Sequence, residues 1–152
     1  MFHILVVDDD KNTRQLIKAV LETENYIVIG ATDGEDALKV LDRSHIDLVI
    51  LDVMMPKMDG YEFTEILRRV QNELPILMVS AKQLPADRNK GFIVGTDDFM
   101  TKPFDEEELL LRVKALLRRA KIVNEHRIII GEVILDYDSL TVKRKNTCQE
   151  LP

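Results

Sequence analysis

The chain of 152 residues is 45% hydrophobic and 32% charged, which excludes a disordered or fibrous protein and is typical of one compact domain with a short appendage. Its one cysteine excludes internal disulfides, no apolar run approaches the ~20 residues of a membrane span, and the start lacks the features of a signal peptide, so we expect a cytoplasmic protein without membrane contact. The net charge is -6, and residues 1–120 contain 16 basic and 22 acidic residues, which disfavours nucleic-acid contact there and favours a bound cation.

Short apolar runs rich in branched residues predict five buried strands. These runs are Ile4–Val7, Ile27–Ala31, Leu48–Leu51, Ile76–Val79 and a weaker one at Phe99–Met100. Amphipathic segments with helical spacing separate the first four runs. They contain Leu16, Ile17, Val20 and Leu21, then Ala37, Leu38 and Leu41, then Phe63, Ile66, Leu67 and Val70.

A capping box at Asp105 and Glu108 predicts the start of a last long helix, whose apolar face continues to Ala120. The alternation therefore indicates five strand–helix pairs. Because each parallel crossover is right-handed and covers the sheet, this order predicts a doubly wound α/β fold. We expect a five-stranded parallel sheet of the flavodoxin-like order 2-1-3-4-5.

The pattern changes after Ala120. Three runs, Arg127–Ile130, Val133–Tyr137 and Leu140–Arg144, predict short antiparallel strands joined by hairpins. Because this stretch is too short to bury a face of its own, we interpret residues 121–127 as a linker and residues 128–152 as the start of a second domain.

Chemically useful side chains follow the predicted strands, where ligands bind in open parallel sheets. Asp8 and Asp9 follow the first strand, Asp52 follows the third, Ser80 the fourth, and Lys102 comes just after the fifth. Carboxylates brought this close repel one another unless a cation lies between them. All-oxygen ligands suit Mg²⁺, which commonly binds through one or two carboxylates and a phosphate.

Other interpretations of single residues are open at this point. Acids after a strand often cap the next helix, and we interpret Asp10 in that way. A serine that ends a strand is commonly a turn residue, so Ser80 gains weight only from its neighbours. Helix capping does not explain Asp8, Asp9, Asp52 and Lys102 together, because these residues follow three different strands.

A series of motifs extends over residues 3–120: Val6–Asp10, Leu51–Pro56, Asp59-Gly60, Val79–Lys82 and Lys102–Phe104. In these motifs and their spacing the chain resembles the receiver domains of two-component response regulators. Gly95–Phe99 and Leu116–Arg119 resemble the OmpR/PhoB type of transcriptional regulator. Ile130–Pro152 resembles the small sheet before the winged-helix DNA-binding fold of that type, so DNA binding is expected only of a complete protein.

The resemblance implies roles for the residues at the strand ends. Asp52 would accept a phosphoryl group from a sensor histidine kinase, and Lys102 would pair with the phosphate. Asp9, Asp52 and the backbone carbonyl of Met54 would bind Mg²⁺ directly, and Asp8 would bind it through water. Such a protein is a switch and not an enzyme.

The resemblance also implies how the switch acts. The bond between Lys102 and Pro103 would be cis. After phosphorylation the Ser80 hydroxyl would bond to the phosphate, and the ring of Phe99 would turn into the vacated space. Phe99 has no hydroxyl, and an ordinary core ring is the alternative interpretation of this residue.

Receivers of the OmpR/PhoB type pair through the fourth helix, the fifth strand and the fifth helix. The resemblance implies a homodimer with intersubunit ion pairs there. Glu108 and Arg112 also have the spacing of an ordinary surface ion pair within one helix. The residues expected at the interface are Arg88, Asp97, Asp98, Glu108, Arg112 and Arg119.

Two functions from other classes use a similar framework. A magnesium-dependent phosphatase with an aspartyl nucleophile needs a second acid two residues after Asp52, and Met54 occupies that place. A flavin-binding module of the same fold needs a loop rich in hydroxyl groups and glycine after the first strand, where this chain has Asp8–Asp10.

The side chains of Met54 and Lys82 lack a carboxylate or amide that could orient water beside the phosphate, which predicts slow self-dephosphorylation.

Overall fold

The computed structural model describes residues 1–70, 73–81 and 85–137. In the first part of the chain, strands and helices alternate regularly. In chain order the elements are β1 His3–Val7, α1 Lys11–Glu22, β2 Ile27–Ala31, α2 Gly34–Arg43, β3 Leu48–Leu51, α3 Gly60–Val70, β4 Ile76–Ser80, α4 Pro85–Val94, β5 Asp98–Thr101 and α5 Glu106–Tyr137.

The five strands form one parallel sheet in the order β2-β1-β3-β4-β5. This order confirms the predicted doubly wound α/β fold. Sheet order reverses between β1 and β3, whose register pairs Val7 with Leu51. The residues that follow these two strands therefore start from neighbouring positions at the same edge of the sheet.

Side chains of successive strand residues point to opposite faces, and each face has its own apolar core. On β1, Ile4 and Val6 pack against α1 and α5, whereas Leu5 and Val7 pack on the face that carries α2 and α3. All four are at most 1% exposed. Burial on both faces explains why these strands are continuous apolar runs in the sequence.

Helix α5 differs from the prediction made for the end of the chain. It continues to Tyr137, so the strands predicted at Arg127–Ile130 and Val133–Tyr137 are wrong. Residues 105–130 contain neither glycine nor proline, so no residue of that stretch ends the helix. The third predicted strand, Leu140–Arg144, lies outside the described residues, and the assignment of residues 121–127 and 128–152 stays a prediction.

Met1–Leu117 forms one compact unit, and the chain from Arg118 onward belongs to a second. The functional residues predicted from the strand ends all lie in the first unit. Among the described helices, none combines the length and the apolar character needed to cross a membrane.

Candidate functional site

The acids after β1 and β3 converge at the carboxyl edge of the sheet. One carboxylate oxygen from each of Asp8, Asp9 and Asp52 lies within 4.8 Å of the other two. We call these three residues the acidic cluster. The sequence placed them together correctly because parallel strands end at one edge and β1 and β3 are neighbours.

Lys102 reaches the acidic cluster from the carboxyl end of β5. Its amide N–H donates to the Ser80 carbonyl oxygen at 2.7 Å, which extends the pairing of β4 with β5. Its Nζ donates to Asp8 Oδ2 at 2.9 Å and lies 3.6 Å from Asp52 Oδ1. The bond from Lys102 to Pro103 is cis, as the resemblance implied.

Hydrogen bonds fix Asp8 more firmly than Asp52. Asp8 is 2% exposed, and its Oδ1 accepts from the amide of Asp10 at 2.9 Å while its Oδ2 accepts from Lys102. Asp52 is 6% exposed, and its Oδ1 accepts a long 3.4 Å hydrogen bond from the amide of Met54. Asp9 is exposed. The cluster therefore contains two buried acids and one that faces solvent.

Burial raises the pKa of Asp52 from its ordinary value of 3.8 to about 6, and the negative charge of Asp8 adds to this effect. Lys102 and the Met54 amide oppose the shift without cancelling it. For Lys102, burial lowers the pKa, but the hydrogen bond to Asp8 and the charge of Asp52 raise it by more. Ionisation of Asp52 is therefore unfavourable in the folded chain, mainly because burial removes water from the carboxylate.

The donor set suits a hard divalent cation. Carboxylate oxygens are the preferred ligands of Mg²⁺, and a cation between these acids would offset the negative charge of Asp8, which adds to the effect of burial on the pKa of Asp52. Met54 is 56% exposed and its amide faces Asp52, whereas its carbonyl stays a predicted ligand.

Asp10 is the N-cap of α1, where it accepts from Asn12 and Thr13, which confirms its interpretation as a helix cap.

The turn from β3 to α3 explains the Asp59-Gly60 motif. Asp59 and Glu62 form a capping box. The Glu62 amide donates to Asp59 Oδ1 at 2.8 Å, and the Asp59 amide donates to Glu62 Oε1 at 3.1 Å. The Gly60 amide donates to the Val53 carbonyl at 2.9 Å. A Cβ on Gly60 would lie 2.6 Å from the Asp52 carbonyl oxygen, so a side chain has no room there.

The two predicted switch residues are both buried. Ser80 ends β4 and is 0% exposed, and Phe99 on β5 is 3% exposed within the core on the α2 and α3 face. The guanidinium carbon of Arg88 lies 5.9 Å from the centroid of the Phe99 ring. Phe99 is thus a core ring in this state of the protein, with one cation from α4 over it.

Several residues predicted for a dimer interface are paired within the chain. Arg112 Nη1 lies 2.8 Å from Asp98 Oδ1, and Arg112 Nη2 lies 2.9 Å from Glu108 Oε2. Asp97 Oδ2 instead accepts from Arg68 at 2.7 Å and from the amide of Ile76 at 2.8 Å. Arg88 lies on α4 and Arg119 is exposed on α5.

Lys82, predicted to affect dephosphorylation, lies outside the described residues.

Sequence reasoning missed two side chains that hold backbone carbonyls, Arg14 beside the acidic cluster and Tyr61 between α3 and α4. Arg14 donates to the backbone carbonyl of Asp8, and Tyr61 donates from its hydroxyl to the backbone carbonyl of Asp87 at 3.0 Å. Both contacts end on a carbonyl oxygen, which every residue has. No residue-type pattern could therefore have indicated them.

Comparison with known proteins gives a consistent result. The family model described as response regulator receiver domain matches residues 4–114. The proteins named heme response regulator HssR of Staphylococcus aureus and of Staphylococcus epidermidis are each 36% identical over 152 residues, which is 100% of this chain and 67% of theirs. The receiver domain of Francisella response regulator 1452 has 35% identity and a TM-score of 0.75, covering 78% of this chain and 98% of that one. The chemotaxis protein CheY4 of Vibrio cholerae has 34% identity and a TM-score of 0.73, covering 76% and 98%.

Proposed function

Because this chain belongs to the response regulator receiver domain family, whose members signal by phosphorylation, we propose that Asp52 is the residue that accepts the phosphoryl group from a sensor histidine kinase. The observation that carries the proposal is the convergence of Asp8, Asp9 and Asp52 with Lys102 at the carboxyl edge of the sheet. No other group of three acids meets at a comparable distance within the described residues.

Asp52 is the nucleophile because it is the buried acid with the weakest hydrogen bonding. Asp8 is already held by two donors, whereas Asp52 accepts one long hydrogen bond and lies 3.6 Å from Lys102. The Asp52 carboxylate attacks the phosphorus in line and forms the O–P bond of an acyl phosphate, while the P–N bond to the donor histidine breaks and its imidazole leaves. Lys102 offsets negative charge on the transferred oxygens.

Asp8, Asp9 and Asp52, with the carbonyl of Met54, are the residues that would hold Mg²⁺. When bound, Mg²⁺ supplies positive charge that the buried carboxylates and the phosphoryl oxygens otherwise lack. The closeness of the three carboxylates supports this assignment, and after burial the negative charge of Asp8 is the next cause of the raised pKa of Asp52.

The switch would act through Ser80 and Phe99. A hydrogen bond from the Ser80 hydroxyl to the phosphate empties space beside β4, and the Phe99 ring turns into it. That rotation would separate Phe99 from Arg88 and so change the surface of α4. The contact between Arg88 and the Phe99 ring supports this route, because it links a core residue to an exposed helix.

The output that we propose is control of transcription in the cytoplasm by a complete protein with a DNA-binding domain. Phosphorylation would favour a homodimer through α4, β5 and α5, with Arg88, Asp97, Asp98, Glu108, Arg112 and Arg119 at or beside the interface. The curated relatives support a longer protein, since the chain spans 67% of their length. The acidic composition of residues 1–120 supports leaving DNA contact to another domain.

We propose a switch and not a phosphatase that turns over small phosphoesters. The aspartyl phosphatase mechanism needs a general acid two residues after the nucleophile, and Met54 has no ionisable group. For the same reason the acyl phosphate should persist. A lifetime of only seconds for the purified phosphorylated chain contradicts this expectation.

Mass spectrometry after incubation with Mg²⁺ and a small phosphodonor tests the proposal. The chain should gain one phosphoryl group and shift towards a dimer in size-exclusion chromatography. Asp52→Asn should gain none. Asp10→Asn is the matched control, because it changes an acid at the same edge that caps α1, and it should be modified like the unchanged chain. An unmodified wild-type chain would refute the assignment.

A further inference from the structure

Arg14 holds the backbone beside the acidic cluster. It lies on α1, four residues after the N-cap, and its Nη1 donates to the Asp8 carbonyl oxygen at 2.6 Å. The contact is part-buried, and the Arg14 side chain covers Gly30 on β2, where a built Cβ would lie 3.7 Å from Arg14 Cδ. Arg14 therefore joins the first helix, the second strand and the end of the first strand.

The Asp8 carbonyl belongs to the peptide bond that leads to Asp9. The Asp8 amide donates to the Ala31 carbonyl at 3.1 Å, so hydrogen bonds hold both polar backbone groups of Asp8. Asp9 itself is exposed, and its carboxylate accepts no hydrogen bond from the residues that the structure describes. The direction of the Asp9 side chain therefore depends on the orientation of its backbone, which the contact of Arg14 fixes.

We propose that Arg14 is a positioning residue of the metal site, which sets the affinity of the acidic cluster for Mg²⁺ by fixing the peptide bond between Asp8 and Asp9. The proposal rests on the proposed function, because it assumes that the cluster binds Mg²⁺. Groups that hold ligand residues commonly change metal affinity about ten- to a hundredfold when they are removed.

The sign of the effect separates positioning from simple charge. A guanidinium close to a cation site repels the cation, so removing the charge alone would strengthen Mg²⁺ binding. Removing a positioning contact weakens it. Lys18 provides the control, because Lys18 and Arg14 line one groove between α1 and β2. Lys18 is exposed, and its ammonium forms no ion pair with a described residue.

Isothermal titration with Mg²⁺ at constant ionic strength tests the proposal on the full chain. Arg14→Met keeps much of the aliphatic stem, and we expect its dissociation constant for Mg²⁺ to rise about tenfold. Lys18→Met should bind Mg²⁺ as tightly as the unchanged chain or slightly more tightly. Arg14→Gln should behave like Arg14→Met, because its shorter side chain does not reach the carbonyl, and it replaces the methionine variant if that fails to fold.

Urea unfolding with EDTA and with saturating Mg²⁺ gives a second readout. A purely structural role would lower stability equally in both conditions, whereas positioning reduces the gain in stability that Mg²⁺ provides. Equal or tighter Mg²⁺ binding by both Arg14 variants overturns the proposal while leaving the proposed function intact. Absence of Mg²⁺ binding by the unchanged chain refutes the metal site itself and this proposal with it.

Discussion

Two regions of this domain are held in place by different forces. Helix α1 buries Ile17, Val20 and Leu21 against the sheet, on the face that α1 shares with α5. Helix α4 relies more on charged and polar contacts. Of α4, Phe92 is 46% exposed and Ile93 is 83% exposed.

Two aromatic rings contact residues of α4. Arg88 lies over the Phe99 ring, Lys90 Nζ lies 4.6 Å from the centroid of the Tyr61 ring, and the Tyr61 hydroxyl donates to Asp87. Apolar burial contributes more free energy than such contacts, commonly about 1.5–3 kcal/mol for each buried side chain. The comparison indicates that α1 and α5 supply stability, while α4 is the element that a small local change can displace.

The largest effect is expected in the α1 region. Leu21→Ala removes a side chain that is 0% exposed, and the cavity should lower the free energy of unfolding by about 3 kcal/mol. Urea denaturation measures this change. Leu16→Ala on the same helix is the control, because Leu16 is 45% exposed and its loss should change stability by less than about 0.5 kcal/mol. Equal effects of the two variants would contradict the comparison.

Asp52→Asn should act with the opposite sign. Because the pKa of Asp52 in the folded chain is about 6 and its ordinary value is 3.8, ionised Asp52 destabilises the fold at pH 7. Removing the charge should raise the free energy of unfolding by about 2 kcal/mol without divalent ions, below the limit of about 3 kcal/mol that the pKa shift allows. Urea denaturation in EDTA measures this change in the free energy of unfolding. A destabilised variant would show that ionised Asp52 does not destabilise the fold.

The same shift predicts a pH dependence. As the pH falls from 7 to 5, Asp52 in the folded chain becomes protonated and its destabilising contribution decreases, and it disappears only below the ordinary pKa of 3.8. The stability difference between Asp52→Asn and the unchanged chain should therefore shrink over that range. Asp42→Asn, which removes an exposed acid on α2, should show no such trend.

Tyr61→Phe tests the hydrogen bond that holds α4. It removes one buried donor and should lower the free energy of unfolding by about 1 kcal/mol, with faster hydrogen exchange in α4. Tyr26→Phe on the other face is the control, because the Tyr26 hydroxyl forms no hydrogen bond with a described residue. If exchange in α4 is unchanged, Tyr61 does not hold that helix.

Arg88→Met should have the smallest effect. It keeps much of the aliphatic stem and removes the cation over the Phe99 ring, a loss of about 0.5 kcal/mol. Hydrogen exchange of the α4 amides should become about twofold faster, since 1.4 kcal/mol corresponds to a factor of about ten. Arg69→Met on α3 provides a matched control at an exposed position. Faster exchange in the control alone would argue against the contact.

The two regions also differ in how well the sequence predicted them. The apolar runs located all five strands to within a residue at each end, because an apolar run is a local feature of the sequence. For α4 no amphipathic pattern was found, and only the alternation of strands and helices implied a fourth helix. Its low amphipathicity follows from how it is held, since contacts of Arg88, Lys90 and Tyr61 leave no apolar stripe in the sequence.

The candidate site shows the same division. Asp8, Asp9, Asp52 and Lys102 could be predicted because strand ends converge in any sheet of this order. The pairing of Arg112 with Asp98, and of Arg68 with Asp97, could not be predicted, because it depends on how separate elements pack against one another. The helical end of α5 was missed for another reason: β-branched residues at 128–130 favour strands locally, while an uninterrupted helix continued into them.

The lack of space at Gly60 limits how the domain can respond to phosphorylation. Helix α3 begins against the backbone of Asp52, with no gap for even a methyl group. The backbone of Asp52 and the first turn of α3 therefore behave as one rigid unit. Phosphorylation of Asp52 therefore cannot act by displacing the Asp52 backbone. The movement must begin in the side chains that surround it, which makes the acceptor a fixed reference point for the parts that move.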